Sequence, residues 1–188
     1  MDLPWGNDKT TKFATTVGLV TSDGPNGPNI MAAEWTHQVS YSPGLIAVCI
    51  GHGKATNENI RASKEFGVSL AAEDQNVISS FSGSSHGNAV NKIAALKELG
   101  FKFYKAKKIN TLMVEGAALY VECKVVNVID LGDHTMFVGE VQEASLGSKA
   151  PLLYHKLKYW KIGENIPKPD VMAIPKVKAA AEKFGKSG

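Results

Sequence analysis

The chain has 188 residues, 44% of them hydrophobic, which is enough for one sizeable core and too much for a disordered chain. Its formal charge of +3 is small, and Arg61 is its one arginine, so a nucleic-acid reader built on bidentate arginines is excluded as an expectation. No apolar run approaches the ~20 residues of a membrane helix, and the opening MDLPWGNDKTTK lacks the apolar stretch of a secretory leader. A soluble cytoplasmic protein with neither membrane nor nucleic acid as partner is expected.

Residues 1–12 are polar, with Pro4 and Gly6, and read as an arm. Residues 13–21, rich in Thr and Val, read as a strand, and the turn cluster SDGPNGP makes a hairpin with a second strand over 29–35. Polar residues and the Ser42-Pro43-Gly44 turn follow as a loop. Residues 45–50 form a short apolar run with β-branched Ile46, Val48 and Ile50, which suits a strand buried on both faces. A helix is predicted over 56–64, capped by Thr56 or Asn57 and packing through Ile60, then a strand over 65–71. Asp74 is the predicted cap of a helix over 75–81, which SGSSHGN at 82–88 should end. A third helix over 91–99 stops at Gly100.

Strand character returns at Thr111. Residues 117–130 and 134–146 alternate around the tight Leu131-Gly132-Asp133 turn, an antiparallel hairpin. Residues 151–154 and 159–162 give a further short hairpin or an extended edge. Residues 163–175 carry several prolines and are expected to wrap the surface, and 177–184 read as a Lys- and Ala-rich terminal helix. No repeat or long linker divides the chain. The expectation is a single domain over 1–188, with an N-terminal arm over about 1–12 and a C-terminal extension over about 164–188.

Two loops have the composition of anion sites. In Gly51-His52-Gly53-Lys54-Ala55-Thr56-Asn57, glycines permit close backbone approach, a helix start offers free N–H groups, and Lys54 adds charge. Its spacing matches neither a P-loop nor a dinucleotide fingerprint, so on residues alone it is either a phosphate cradle or a plain connection. Ser82-Gly83-Ser84-Ser85-His86-Gly87 offers hydroxyls and N–H groups, and is equally readable as a solvated loop. The five histidines form no HExxH pattern and the two cysteines no CxxC, so no metal site is expected. Cys49 and Cys123 lie in apolar runs and read as reduced, small core residues.

A family resemblance joins these pieces. Trp35-Thr36, Val39-Ser40, Ser42-Pro43-Gly44-Leu45-Ile46 and Cys49-Ile50-Gly51 resemble, in that order, the flavin reductase-like family with the FMN-binding split barrel. Glu65-Phe66-Gly67-Val68-Ser69, the segment from Gly116 to Cys123, Gly132-Asp133-His134 with Val138-Gly139-Glu140-Val141, and Pro151-Leu152-Leu153-Tyr154-His155 extend the likeness over roughly residues 10–163. The resemblance implies a mainly β fold, a six-stranded antiparallel Greek-key split barrel with inserted helices, assembled as a homodimer. It implies FMN as cofactor in preference to FAD, with NAD(P)H as co-substrate and free flavin, a ferric complex, oxygen or a protein as electron acceptor. It places cofactor contacts at Ala33, Glu34, Trp35, Thr36 and Ser40, at Cys49, Ile50 and Gly51, at Lys54, Thr56 and Asn57, at Ser82, Gly83, Ser85 and His86, and at Trp160. His134 becomes the candidate catalytic residue; without the family it is an ordinary turn histidine. The alternatives are a flavoredoxin-like electron carrier with little NAD(P)H activity, and a flavin-binding protein without turnover.

Overall fold

Strand sequences dominate the chain, and every strand pairing formed is antiparallel. The structure is a computed structural model that describes residues 1–168 and 171–185. After a short 3-10 turn at Thr10–Lys12, the elements run β1 (Thr15–Thr16), β2 (Gly18–Ser22), β3 (Asn29–Ala33), β4 (Thr36–Tyr41), β5 (Gly44–Gly51), α1 (Ala55–Ser63) and β6 (Glu65–Leu70). Next come α2 (Asn76–Ser84), α3 (Lys92–Glu98), β7 (Phe103–Lys105), β8 (Leu112–Val114), β9 (Leu119–Leu131) and β10 (His134–Leu146). The chain closes with β11 (Leu153–His155), β12 (Lys158–Trp160) and α4 (Ala173–Lys183).

The principal sheet has the order β3-β2-β6-β9-β10-β5-β4. Its two edge strands, β3 and β4, are consecutive in the chain and joined only by Glu34 and Trp35. In a flat sheet, six strand spacings would hold those edges about 29 Å apart, whereas the three peptide steps from Ala33 to Thr36 reach roughly 10 Å. The sheet therefore curls until its edges meet. The Thr36 hydroxyl donates to the Ala33 carbonyl at 3.1 Å, and Cys49 N–H donates to the Trp35 carbonyl at 3.0 Å, which ties the meeting point. The mainly β barrel is as expected, with seven strands in this sheet where six were anticipated.

The additional strand is β4, where a loop is expected from the sequence. His37, Gln38, Val39 and Tyr41 are exposed, and the register slips between Gln38 and Ser40. An edge strand with both faces near water has no alternation to betray it. By contrast, β2 is buried at all five residues, because Val20 faces one core and Leu19 the other. The barrel interior holds Val48, Ile50, Phe66, Cys123 and Phe137. The second core lies between the sheet and the helices and holds Ile30, Ile78, Ile93 and Leu96. Each such aliphatic or phenyl side chain contributes about 1.5–3 kcal/mol by leaving water. The strand over 45–50, expected to be buried on both faces, is only half-buried at Leu45, Ile46 and Cys49, and is buried at Ala47, Val48 and Ile50.

Helix ends depart from the sequence reading for identifiable reasons. The α1 helix begins at Ala55 with Lys54 in the cap position, so Thr56 and Asn57 are not caps. Their side chains serve other partners: the Thr56 hydroxyl accepts from Asn29 Nδ2 at 2.9 Å, and Asn57 Nδ2 donates to the Ile50 carbonyl at 3.1 Å. Gln75 rather than Asp74 precedes α2. Its amide accepts from Ala72 N–H and donates to the Glu115 carbonyl, while Asp74 pairs with Lys149. The helix also runs through Ser82 and Gly83 instead of ending before them. Ser82 is fully buried, and a Cβ on Gly83 would sit 3.5 Å from Ala32 Cβ, so these small residues let α2 lie close on β3. At the other end of the chain, α4 begins at Ala173, before the predicted 177, because a proline fits a first helical turn and Pro175 lies there. It buries none of its residues. The surface path expected over 163–175 includes residues 169 and 170, which lie outside the described ones. Among the described residues no helix is long and apolar enough to cross a membrane.

Candidate functional site

Where α1 begins, α2 ends and β3 starts, a cleft of about 260 Å³ opens. Lys54, Ala55 and Thr56 line one wall, Asn29 and Met31 the floor, and Ser82, Gly83, Ser85, His86, Gly87 and Asn88 the other wall, with Lys92 from α3 closing it. Within α1, Asn57 N–H and Glu58 N–H both return to the Lys54 carbonyl. The N–H groups of Ala55 and Thr56 thus stand outside the helix's own ladder, at its positive end. Among the described residues no carboxylate lines the cleft.

The polar groups here are strained for partners in one direction. The Ser82 hydroxyl is buried with no hydrogen-bond partner among the described residues, a costly condition for a hydroxyl. Lys92 is 3% exposed, and its Nζ donates to the Ser82 carbonyl at 3.1 Å and the Ser85 carbonyl at 3.3 Å. Burial first, and the Lys54 ammonium second, push Lys92 down to about 8. Asn29 braces the floor against Thr56. A Cβ on Gly87 would come 2.6 Å from Asn29 Oδ1, so the loop passes this close because the residue is glycine. Two ammonium groups, two helix N–H groups and an unsatisfied hydroxyl with no acidic neighbour fit an anion of phosphate size.

The β5–α1 loop continues from this cleft to a second surface. On β5, Gly51 lies opposite His134 at the start of β10. The His134 ring rests against Trp35, with centroids 4.7 Å apart and planes tilted by 49°. Its Nδ1 is 2.7 Å from Asp133 Oδ1. The hydrogen bond to His134 is the leading cause that holds the Asp133 carboxyl below the usual range. That contact orients the ring and turns Nε2 away from Asp133. That nitrogen is 3.6 Å from where a Cβ on Gly51 would stand. Behind it, Arg61 ties α1 to the hairpin: Nε donates to Asn57 Oδ1 at 2.9 Å, and the guanidinium reaches Thr135 Oγ1 at 2.8 Å and also Asp130. The same arginine lies over the Phe137 ring at 5.8 Å. A planar ring has an aromatic and imidazole surface to lie against here.

The residues named from sequence fall into groups. Lys54, Thr56, Ser82, Gly83, Ser85 and His86 converge on the cleft. Trp35, Gly51 and His134 meet at the adjoining rim. Ala33, Thr36 and Ile50 are buried and offer that region backbone more than side chain. Cys49 is half-buried, its thiol pushed up by burial, and burial likewise raises the carboxyl of Glu34. Asn57 stands behind the loop on Ile50 and Arg61. Two residues lie apart. Ser40 pairs with Leu45, at the opposite end of β5 from Gly51, and Trp160 sits on β12 with its indole N–H on the His155 carbonyl at 2.8 Å.

Sequence reasoning missed Lys92, Asn29, Met31 and Asn88. Lys92 gave one usable signal: a cation beside Ile93 and Leu96 on the apolar side of a short helix. Cys123 is fully buried, with its thiol pushed up to about 12 by burial and then by Glu122, the environment of an unreactive core sulfur. Both cysteines are free. Among the described residues no group of His, Cys, Asp and Glu is placed to hold a metal.

Comparison with known proteins places the chain in a family. The profile described as "Flavin reductase like domain" matches residues 10–163. A ferric-chelate reductase (NAD(P)H) of Archaeoglobus fulgidus is 30% identical over 148 residues, covering 76% of this chain and 85% of that protein. An NADH-dependent flavin reductase of a Rhodococcus species is 27% identical over 148 residues, 77% of each chain. Among solved structures, that of the flavin reductase PheA2 in its native state superposes with a TM-score of 0.72 at 28% identity, covering 87% of this chain and 100% of that one.

Proposed function

The chain belongs to the flavin reductase-like family, and we infer from that premise that it is an NAD(P)H-dependent oxidoreductase that reduces a bound flavin and passes the electrons to free flavin, a ferric complex, oxygen or a protein. The observation that supports this most is the adjacency of an anion-fitting cleft to an aromatic rim, joined by one short loop from Gly51 to Lys54. Together they have the chemistry of a planar ring with a phosphate tail. FMN is the favoured flavin, because two ammonium groups on one small cleft match a terminal phosphate dianion and no further motif offers room for an adenylate. Bound flavin supplies the hydride acceptor, and the protein supplies position, charge and access.

In this reading Lys54, the N-terminus of α1 and the Ser82–His86 wall hold the phosphate and ribityl oxygens. The segment from Ala33 to Thr36 borders the ring edge, where small side chains let the ring approach backbone N–H groups. His134 borders the space through which nicotinamide enters. The purified protein is expected to show visible flavin absorption, or to gain it on addition of FMN, and to bleach on addition of NADH or NADPH. Failure to bind any flavin would sink the proposal. Flavin that binds and is not reduced by either nucleotide would make the protein an electron carrier instead.

A homodimer is the proposed assembly. The β4 edge strand exposes Val39 and Tyr41, a combination that proteins ordinarily cover, and a closed two-fold dimer is the commonest oligomeric form. Light scattering at micromolar concentration should return twice the chain mass; a monomer mass would count decisively against it. A consumer of NAD(P)H of this kind works in the cytoplasm, where those nucleotides are supplied.

A further inference from the structure

Arg61 stands in the last turn of α1, outside the lining of the cleft, and its guanidinium meets three elements at once. Nε donates to Asn57 Oδ1, one turn back on α1, at 2.9 Å. Asn57 Nδ2 in turn donates to the Ile50 carbonyl, near the end of β5, at 3.1 Å. Nη2 donates to Thr135 Oγ1 on β10 at 2.8 Å and to the Asp130 carboxylate on β9. Thr135 is fully buried and pairs with Asp130 on one side and Ile50 on the other. Its hydroxyl donates to Asp130 Oδ1 at 2.9 Å. The Thr135 hydroxyl first, and Arg61 second, hold the Asp130 carboxyl below the usual range. The arginine and aspartate side chains are 41% and 63% exposed, so their ion pair adds little to stability by itself. A planar fork with its donors spread over a helix and a hairpin is better explained by the geometry it imposes.

Building on the flavin reading above, we propose that Arg61 is a positioning residue for flavin reduction: it clamps the tip of the β9–β10 hairpin to α1 and the end of β5, and so holds His134 in the place the hydride step needs. His134 is the first residue of β10 and Thr135 the second, so the bond that Arg61 makes to Thr135 sets where the imidazole stands. Beyond that clamp the tip has only its pairings with Gly51 and Leu131 and the bond from His52 N–H to the Asp133 carbonyl at 3.0 Å. Geometry at a reacting centre is unforgiving, and a shift of about 1 Å costs on the order of a hundredfold in rate. The start of α1 is held in a different way. The Thr56 hydroxyl accepts from Asn29, and Asn57 reaches Ile50, with no help from the guanidinium. Loss of Arg61 should therefore release the His134 rim and leave the cleft in shape.

The test reads rate, affinity and ring position separately on the full chain. Arg61→Met keeps an unbranched stem over the Phe137 ring and removes every donor. It should slow reduction of bound FMN at saturating NADH about ten- to a hundredfold, with FMN affinity by fluorescence titration unchanged. Arg61→Lys keeps the charge without the fork and should fall between the two. Because Arg61 acts through His134, Arg61→Met should add little further slowing in a His134→Ala background. In the flavin-free protein, the Cε1–H NMR signal of His134 is displaced by the ring current of Trp35, which lies 4.7 Å away. In Arg61→Met that signal should move toward its position in Trp35→Leu. Fully multiplicative slowing in the double variant, or an unmoved signal, overturns the proposal. So does a fall of rate and FMN affinity together, which would make Arg61 a brace of the whole site. If Arg61→Met does not fold, Asp130→Asn, a change at an exposed side chain, decides the matter: an unmoved signal there overturns the proposal. A wild type that binds no flavin overturns the flavin reading itself, and the His134 signal still decides the positioning.

Discussion

Replacing His134 by alanine is expected to slow reduction of bound flavin by NADH about ten- to a hundredfold, equivalent to about 1–3 kcal/mol of lost transition-state stabilisation. FMN affinity should stay nearly constant. The expectation rests on how the residue is held. His134 opens β10 immediately after the Gly132-Asp133 turn, so it stands at the barrel rim, where strand interiors give way to open loops. Gly132 adopts a φ of +40° there, which keeps the turn to two residues and the imidazole close to the last pairing of β9 and β10. Asp133 holds the ring's orientation through Nδ1, and Trp35 supports the ring face. A side chain already held in one orientation loses little freedom when a nicotinamide arrives, so its contribution appears in the rate constant. The cleft proposed for the phosphate lies across the Gly51–Lys54 loop in another set of residues, which is why affinity for FMN should not follow. Stopped-flow reduction at saturating NADH measures the effect directly. An unchanged rate constant would return His134 to the role of a hairpin-tip residue that packs on Trp35.

The parts of this site that could be read from sequence are those encoded locally. The long hairpin of β9 and β10 announces itself by alternation over many residues and a Gly-Asp turn, so the sequence alone places His134 at a rim. The loop from Gly51 to Asn57 was visible as glycines, a lysine and a helix start. What could not be read depends on contacts between distant segments. Closure of the barrel follows from the two-residue Glu34-Trp35 link, but only once β3 and β4 are known to be opposite edges, and β4 has no pattern to show it. The run of Ser and Gly at 82–84 looked like a break because propensity favours one; packing of α2 on β3 overrides it at Ser82 and Gly83. Lys92 was invisible because burial of a lysine is decided by the helix and loop that wrap it. Arg61 was noticed only as a lone arginine. Its use, joining Asn57 on α1 to Thr135 and Asp130 on the hairpin, spans more than seventy positions of sequence in part and has no local signature.

Replacing Gly139 by valine should cost the fold roughly 3 kcal/mol or more, a large share of the 5–15 kcal/mol that holds a typical domain together. Gly139 sits on β10 where the pairing with β9 slips at a bulge. A Cβ there would come 2.6 Å from Cε1 and Cζ of Phe66 and 2.7 Å from Cβ of Cys123. Both neighbours are fully buried on the adjoining strands β6 and β9, so neither is a flexible end that can swing into solvent. Interiors packed to crystal density accept an added methyl only by moving rings and strands. Alanine should therefore already cost about 1–3 kcal/mol, and valine more, because its two further methyls meet the same ring. Urea unfolding is the measurement, with the midpoint falling at constant m. Relief should come from the partner that is overcrowded: in the Gly139→Ala background, Phe66→Leu should be less damaging than in the wild type, a coupling of about 0.5–3 kcal/mol in a double-mutant cycle. Strict additivity of the two changes would mean that the β10 bulge, and not the Phe66 ring, absorbs the added carbon. In that case the strain would run along β10 toward His134, and flavin reduction would slow in Gly139→Ala while stability changed little.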